Sequence, residues 1–231
     1  MSKQVEIASI LPRESAAVSA WDLFVQLDRI THRFGSRTVF EGVTEAAQEG
    51  EILVVSGANG SGKSTLLRII AGLLTPTSGR AIVSAAGTEL NGAQRRRLIG
   101  YVAPDLVLYR ELTGAENLQF FAELHGVRAD RAMLVDLLTR VGLRGRGRDA
   151  VGGYSSGMRQ RLKYAFALLH DPPILLLDEP TANLDTNGVA IVEEIVKAQQ
   201  MRPGGGLTIV ATNEPRELEW SARRVHLGPG A

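Results

Sequence analysis

Residues Gly57-Ala58-Asn59-Gly60-Ser61-Gly62-Lys63-Ser64 follow a strand-like apolar run at 51–56. They precede a stretch, 64–74, with Leu66, Ile69, Ile70 and Leu73 at helical spacing. Few folds accommodate such a segment. The glycines free the backbone to point consecutive N–H groups at one anion. The following helix adds the positive end of its dipole. Lys63 supplies a mobile positive charge for terminal phosphates, and the hydroxyl of Ser64, next to Thr65, can ligate Mg²⁺. A plain glycine-rich turn is the competing reading, but it explains neither the strand before nor the helix after. The segment therefore points to a phosphate-binding loop between a buried strand and a helix.

A second buried run, 174–177, is Ile-Leu-Leu-Leu and ends in Asp178-Glu179-Pro180. The carboxyl edge of a parallel sheet is where such folds bind ligands. There Asp178 is expected to hold Mg²⁺ through water, and Glu179 to orient or deprotonate an attacking water. Two solvated loop acids are the alternative, weakened because a phosphate loop needs an acid at a neighbouring strand end. No Asn-Lys-x-Asp segment is present, so a guanine-reading GTPase is disfavoured.

A chain of 231 residues suffices for one α/β domain or two small ones. Its net charge of +1 gives no argument for a nucleic-acid partner. It has no cysteine, which fits a reducing compartment. No apolar run approaches the roughly 18 residues of a membrane span, and the N-terminus lacks a signal-peptide pattern. Any membrane association is expected to come through a partner.

Residues 1–20 read as a poorly ordered extension, and 21–231 as one domain. Strands are expected at 23–27, 51–56, 98–102, 174–178, 207–212 and 224–227. Helices are expected at 64–74, 116–125, 129–141, 157–170 and 187–200. The helical texture of about 105–158 reads as a subdomain inserted into the α/β core. The fold class is α/β: a P-loop NTPase core with a mainly parallel sheet, an antiparallel β portion and the inserted helices. The arginines at 95–97 and Arg144, Arg146 and Arg148 read as solvated surface charge, with anionic lipid headgroups as a minor alternative.

Between the two acidic and phosphate-binding segments lies Tyr154-Ser155-Ser156-Gly157-Met158-Arg159-Gln160. By itself this is an N-cap, Ser155, before a helix with Met158, Leu162, Ala165, Phe166 and Leu169 on one face. Together with the loop and the Asp-Glu strand end, in that order and spacing, the chain resembles the nucleotide-binding subunit of ABC transporters over about 22–228. The resemblance implies an ATPase using ATP and Mg²⁺. It assigns Phe34 to stacking on adenine (a core aromatic being the alternative), Gly57, Asn59, Gly60, Ser61, Gly62, Lys63, Ser64 and Thr65 to the phosphates, and Ser64 and Asp178 to the metal. It makes Glu179 the catalytic glutamate and 182–185 a loop crossing a dimer interface. It also implies that Ser155 and Gly157 meet the γ-phosphate bound by a second subunit, identical or homologous.

Two positions depart from the family. Where it has a metal-ligating glutamine, in register with 99–102, this chain has Pro104, with Asp105 as a conceivable substitute. Where it has a switch histidine after the last core strand, this chain has Asn213, a neutral donor. The resemblance thus implies slow hydrolysis or reliance on a homologous subunit. It further implies a separate membrane permease docked near 104–113 at the cytoplasmic face, driving export. Heme export for cytochrome c maturation is the favoured substrate reading. The rivals are export of a drug, lipid or polysaccharide, a non-transport regulator of the cell-division type, and a soluble ABC protein of translation or repair.

Overall fold

The computed structural model describes residues 21–228; the expected extension at 1–20 lies outside the described residues. Two sheets form the frame. β1 (Phe24–Phe34) and β2 (Arg37–Gln48) make a hairpin, and β4 (Ser78–Ala85) with the short β5 (Thr88–Glu89) completes an antiparallel sheet in the order β2-β1-β4-β5. The second sheet is parallel, with β3 (Ile52–Ser56), β6 (Ile99–Val102), β7 (Ile174–Asp178), β8 (Leu207–Thr212) and β9 (Arg224–His226) in the order β6-β7-β8-β3-β9.

Strands β7 and β8 are buried along their whole length, and β3 at all but its last residue. That is why they read as unbroken apolar runs: layers cover the parallel sheet on both faces. One layer is the antiparallel sheet with α1 (Lys63–Ile70), which bury Leu27, Ile30, Leu66, Ile69 and Val83 against it. The other contains α3 (Gly114–His125), α4 (Arg131–Arg140), α5 (Ser156–Ala167) and α6 (Thr186–Met201). The two short helices are α2 (Gly92–Leu98) and α7 (Pro215–Leu218).

The helix starts follow sequence chemistry. Asn91 with Gln94, and Thr113 with Glu116, form capping boxes; Asp130, Ser155 and Asp185 cap α4, α5 and α6. Gly126 ends α3 in the left-handed conformation that an L side chain resists. Sheet order matters most for the site. β7, β8 and β3 are neighbours, so the chain emerging from each carboxyl end arrives at one edge.

Two expectations are corrected. The helix expected at 64–74 ends at Ile70, because the chain turns through Gly72 at φ 72°, and Leu73 is 57% exposed. Arg95 is not surface charge. It is 8% exposed, and its guanidinium donates to the carbonyls of Leu90, Ile70 and Ala81 at 3.1, 3.2 and 2.7 Å. It satisfies the exposed carbonyl end of α1 and joins it to α2 and β4. Burial holds its pKa below the usual arginine value, with the charge of Glu89 opposing. Arg95→Met leaves those carbonyls without donors. It is expected to lower stability by about 3 kcal/mol, a fall of roughly 6–12 °C in the thermal midpoint; an unchanged calorimetric midpoint refutes this.

Candidate functional site

The loop after β3 takes the shape its glycines permit. Gly57, Gly60 and Gly62 have φ of 148°, 82° and 98°. A Cβ on Gly57 would collide with Leu227 and Ser61, and one on Gly62 with Val39 and Phe40. The backbone is therefore threaded between β2 and the segment after β9, and only glycine fits. Gly62 caps α1 without a side-chain bond, leaving the first amides of that helix for an anion. Ser61, Lys63 and Thr65 are buried; Ser61 Oγ has no hydrogen-bond partner.

Lys63 curls back over the loop. Its Nζ donates to the Gly57 carbonyl at 2.8 Å and lies 3.4 Å from Glu179 Oε1. Glu179 follows Asp178 at the end of β7 and is held at φ 47°, sparsely populated for a residue with a side chain. Its amide donates to the Ala211 carbonyl on β8 at 2.9 Å, which pins the turn. Such strain persists only where the surroundings enforce it, and it aims the carboxylate at the loop instead of along the strand.

Asp178 is 2% exposed, and its Oδ1 has no hydrogen-bond partner; Tyr101 on β6 donates to Oδ2 at 3.5 Å. Burial raises the Asp178 carboxyl above the ordinary range; the neighbouring Ser64 hydroxyl opposes this, the charge of Glu179 adds to it, and Lys63 and Arg68 oppose. A buried carboxylate oxygen without a partner, beside the Ser64 hydroxyl, is an all-oxygen donor set that suits Mg²⁺. Burial first, then the neighbouring Asp178 charge, raises the Tyr101 hydroxyl, so it remains a donor.

Asn213, just past β8, bridges the loop: its Oδ1 accepts from the Gly57 amide at 3.3 Å and its Nδ2 donates to Asn59 Oδ1 at 3.0 Å. Asp105 is committed elsewhere, to Arg68 on α1 at 2.8 Å. Phe34 lies at the end of β1, 54% exposed and edge-on to His32 with ring centroids 4.6 Å apart, so it is not a core aromatic.

Ser155 bonds locally. Its Oγ accepts from the Met158 amide at 3.1 Å, and the first amides of α5 remain for an external acceptor. A Cβ on Gly157 would stand 3.1 Å from the Asn183 carbonyl, so the start of α5 approaches the loop at 182–185 closely. Three functional candidates escape sequence reasoning: Tyr101, Lys163 and Glu217. Glu217, on α7 and 1% exposed, accepts from the amide of Thr181 at 2.9 Å and its hydroxyl at 2.5 Å, fastening the chain after Glu179. They carry no local motif; only strand order and helix packing bring them to the site.

Phosphate loop, acidic strand end and Asn213 reach one edge through three adjacent strands, the arrangement of an ATP-binding cassette. Residues 40–182 match the family described as ABC transporter, and the chain belongs to that family. It is 37% identical over 201 residues, 87% of this chain and 65% of the relative, to an uncharacterized ABC transporter ATP-binding protein, YdbJ, of Bacillus subtilis (strain 168). It is 37% identical to the daunorubicin resistance ATP-binding protein DrrA3 of Streptomyces coeruleorubidus, covering 84% of this chain and 61% of that one. It is 33% identical to the cytochrome c biogenesis ATP-binding export protein CcmA of Methylococcus capsulatus (strain ATCC 33009 / NCIMB 11132 / Bath), covering 84% and 92%. The chain thus spans less than two thirds of the length of the first two relatives. Among solved structures, a dimeric post-hydrolysis state of the ATP-binding cassette MJ0796 bound to ADP and Pi superposes with a TM-score of 0.77 at 26% identity, covering 89% of this chain and 96% of that one.

The raised Asp178 carboxyl has a stability consequence. A folded-state pKa above the unfolded one contributes stability that is present at low pH and lost as pH rises through the folded pKa. At neutral pH the buried charge is a net cost. Asp178→Asn is expected to raise the thermal midpoint of the ligand-free protein at pH 7.5, and by less as pH falls into the acid range. Calorimetry across that range decides; a lower midpoint at pH 7.5 contradicts it.

Proposed function

We propose that this chain is the ATP-hydrolysing motor of an exporter and works in a pair against a separate membrane-spanning partner. The observation that carries the reading is the convergence of Lys63, Asp178 and Glu179 at one sheet edge, with Lys63 Nζ 3.4 Å from Glu179 Oε1. Phe34 takes the adenine face. The amides of the loop at 57–65 and the Lys63 ammonium bind phosphate oxygens. Ser64 and Asp178 would hold Mg²⁺, which when bound neutralises charge on the terminal phosphates. Lys63 turns from Glu179 toward the phosphates, leaving the Glu179 carboxylate free to take a proton from water. Ser155, Gly157 and the start of α5 complete the site of a second subunit; the dimeric MJ0796 cassette supports this pairing.

Among the described residues no helix is long and apolar enough to cross a membrane; the partner is a separate permease, and the chain sits peripherally at the cytoplasmic face. A cavity of about 390 Å³ beside the junction at 103–107 supports docking there, lined by Leu73, Tyr101, Leu106, Val107, His125 and Phe166. Leu73 and Val107 are 57% and 78% exposed, apolar area a partner would cover. Drug and other small-molecule export is favoured by relatives such as the daunorubicin resistance protein. Heme export is the second reading, supported by the likeness to CcmA.

Glu179→Gln is expected to lower kcat by about 100-fold or more with ATP binding retained, the effect of losing a general base. A kcat within a few-fold of the parent refutes that role. Because Asn213 supplies only a neutral amide and Pro104 no side-chain donor, the pair Asn213→His with Pro104→Gln is expected to raise steady-state ATPase several-fold, by about 1 kcal/mol of barrier. Measured with the membrane partner present, an unchanged rate means that neither position limits turnover.

A further inference from the structure

The chain between β6 and α3 touches both the P-loop helix and the helix capped by Ser155. Its residue Pro104 has no N–H to donate, so the junction offers carbonyls as handles. Lys163 takes them: from the third turn of α5 its Nζ donates to the Ala103 carbonyl at 3.1 Å and to the Pro104 carbonyl. On the opposite side Asp105 is held by Arg68 of α1 at 2.8 Å. Three consecutive residues, 103–105, are thus gripped from both helices.

The grip is not a surface accident. Lys163 is partly buried, burial lowers its pKa with the Asp105 charge opposing, and among the described residues it forms no ion pair. An ammonium drawn from water onto two carbonyls is a specific arrangement with a desolvation cost. The same side chain lines a cavity of about 490 Å³ shared with Pro104, Ser156, Gln160, Asp178 and Glu179. It therefore lies beside the acidic strand end while bonded to the junction.

We propose that Lys163 is a positioning residue for ATP hydrolysis: with the Arg68–Asp105 pair it clamps the β6–α3 junction between α1 and α5, fixing the start of α5 relative to the phosphate site. This rests on the assignment of Asp178 and Glu179 to the phosphate end. Among the described residues no hydrogen bond or ion pair joins the clamp to the loop at 57–64. Its loss therefore acts on turnover, not on nucleotide affinity. Junction and nucleotide site would otherwise move independently.

The test uses Lys163→Met, which keeps length and loses charge, and Lys163→Arg, which keeps charge. The junction amides give a direct readout, since Leu106 N–H donates to the Ala103 carbonyl at 3.3 Å and Tyr109 N–H to Asn117 Oδ1 at 2.9 Å. Hydrogen exchange of 105–109 is expected to accelerate about 10-fold in Lys163→Met, because local opening becomes easier. kcat is expected to fall about 5- to 10-fold with the ATP dissociation constant within about 2-fold, and Lys163→Arg to restore most of both. Asp105→Asn is expected to act in the same direction, and the double variant to be no worse than the more impaired single one, as for members of one unit. Unchanged exchange in Lys163→Met, an arginine variant as impaired as the methionine one, or ATP affinity falling in step with kcat overturns the clamp. If the phosphate-end assignment itself is wrong, Glu179→Gln leaves turnover intact while the exchange measurement still reports on the clamp.

Discussion

Lys63 is 6% exposed. Charge removed from water costs stability unless hydrogen bonds or an opposite charge compensate it. Here the partners are the Gly57 carbonyl and the Glu179 carboxylate, one from the loop after β3 and one from the turn after β7. Those strands are not neighbours; β8 lies between them. The interaction therefore exists only if β7, β8 and β3 are in register and end at one level. The ladder pairs show that register: Asp178 lies opposite Ala211 on β8, and Ser56 opposite Thr212. Glu179 accepts a left-handed φ to reach its place, and Asn213 from β8 closes the gap on the loop.

On the proposed function the same constraint gives a nucleotide its effect. Phosphate oxygens would compete with the Glu179 carboxylate for one ammonium, so binding would transfer Lys63 from an internal partner to the ligand and change the charge around the glutamate. Asp178 sits next to this exchange, kept above the usual carboxylate range by burial and sensitive to its neighbours' charges. The clamp at 103–105 extends the coupling into the helical layer through groups the loop does not contain.

Much of this is legible in the sequence because much of it is local. Apolar runs locate β3, β7 and β8, since strands buried on both faces alternate with nothing. The cap Ser155 acts within its own first turn. The glycines at 57, 60 and 62 and the order of motifs carry the reading of a phosphate loop. The antiparallel sheet is harder to read: β1 carries register shifts near residues 28–31, which break its alternation. Arg95 is misread because sequence shows a charge run, whereas the carbonyls it satisfies come from α1, β4 and the segment before α2. Lys163, Tyr101 and Glu217 are invisible for the same reason, their partners being 59, 77 and 36 residues away.

The competition for Lys63 is the centre of the account, and calorimetric titration of ATP at fixed low temperature reads it directly. Replacing Glu179 by Gln removes the internal anion while leaving the ammonium and loop amides in place. ATP is expected to bind at least about 3-fold tighter in that variant, and at least about 10-fold more weakly in Lys63→Met, where the charge-assisted bonds are lost. Glu179→Gln binding more weakly than the parent, or Lys63→Met binding equally well, would contradict it.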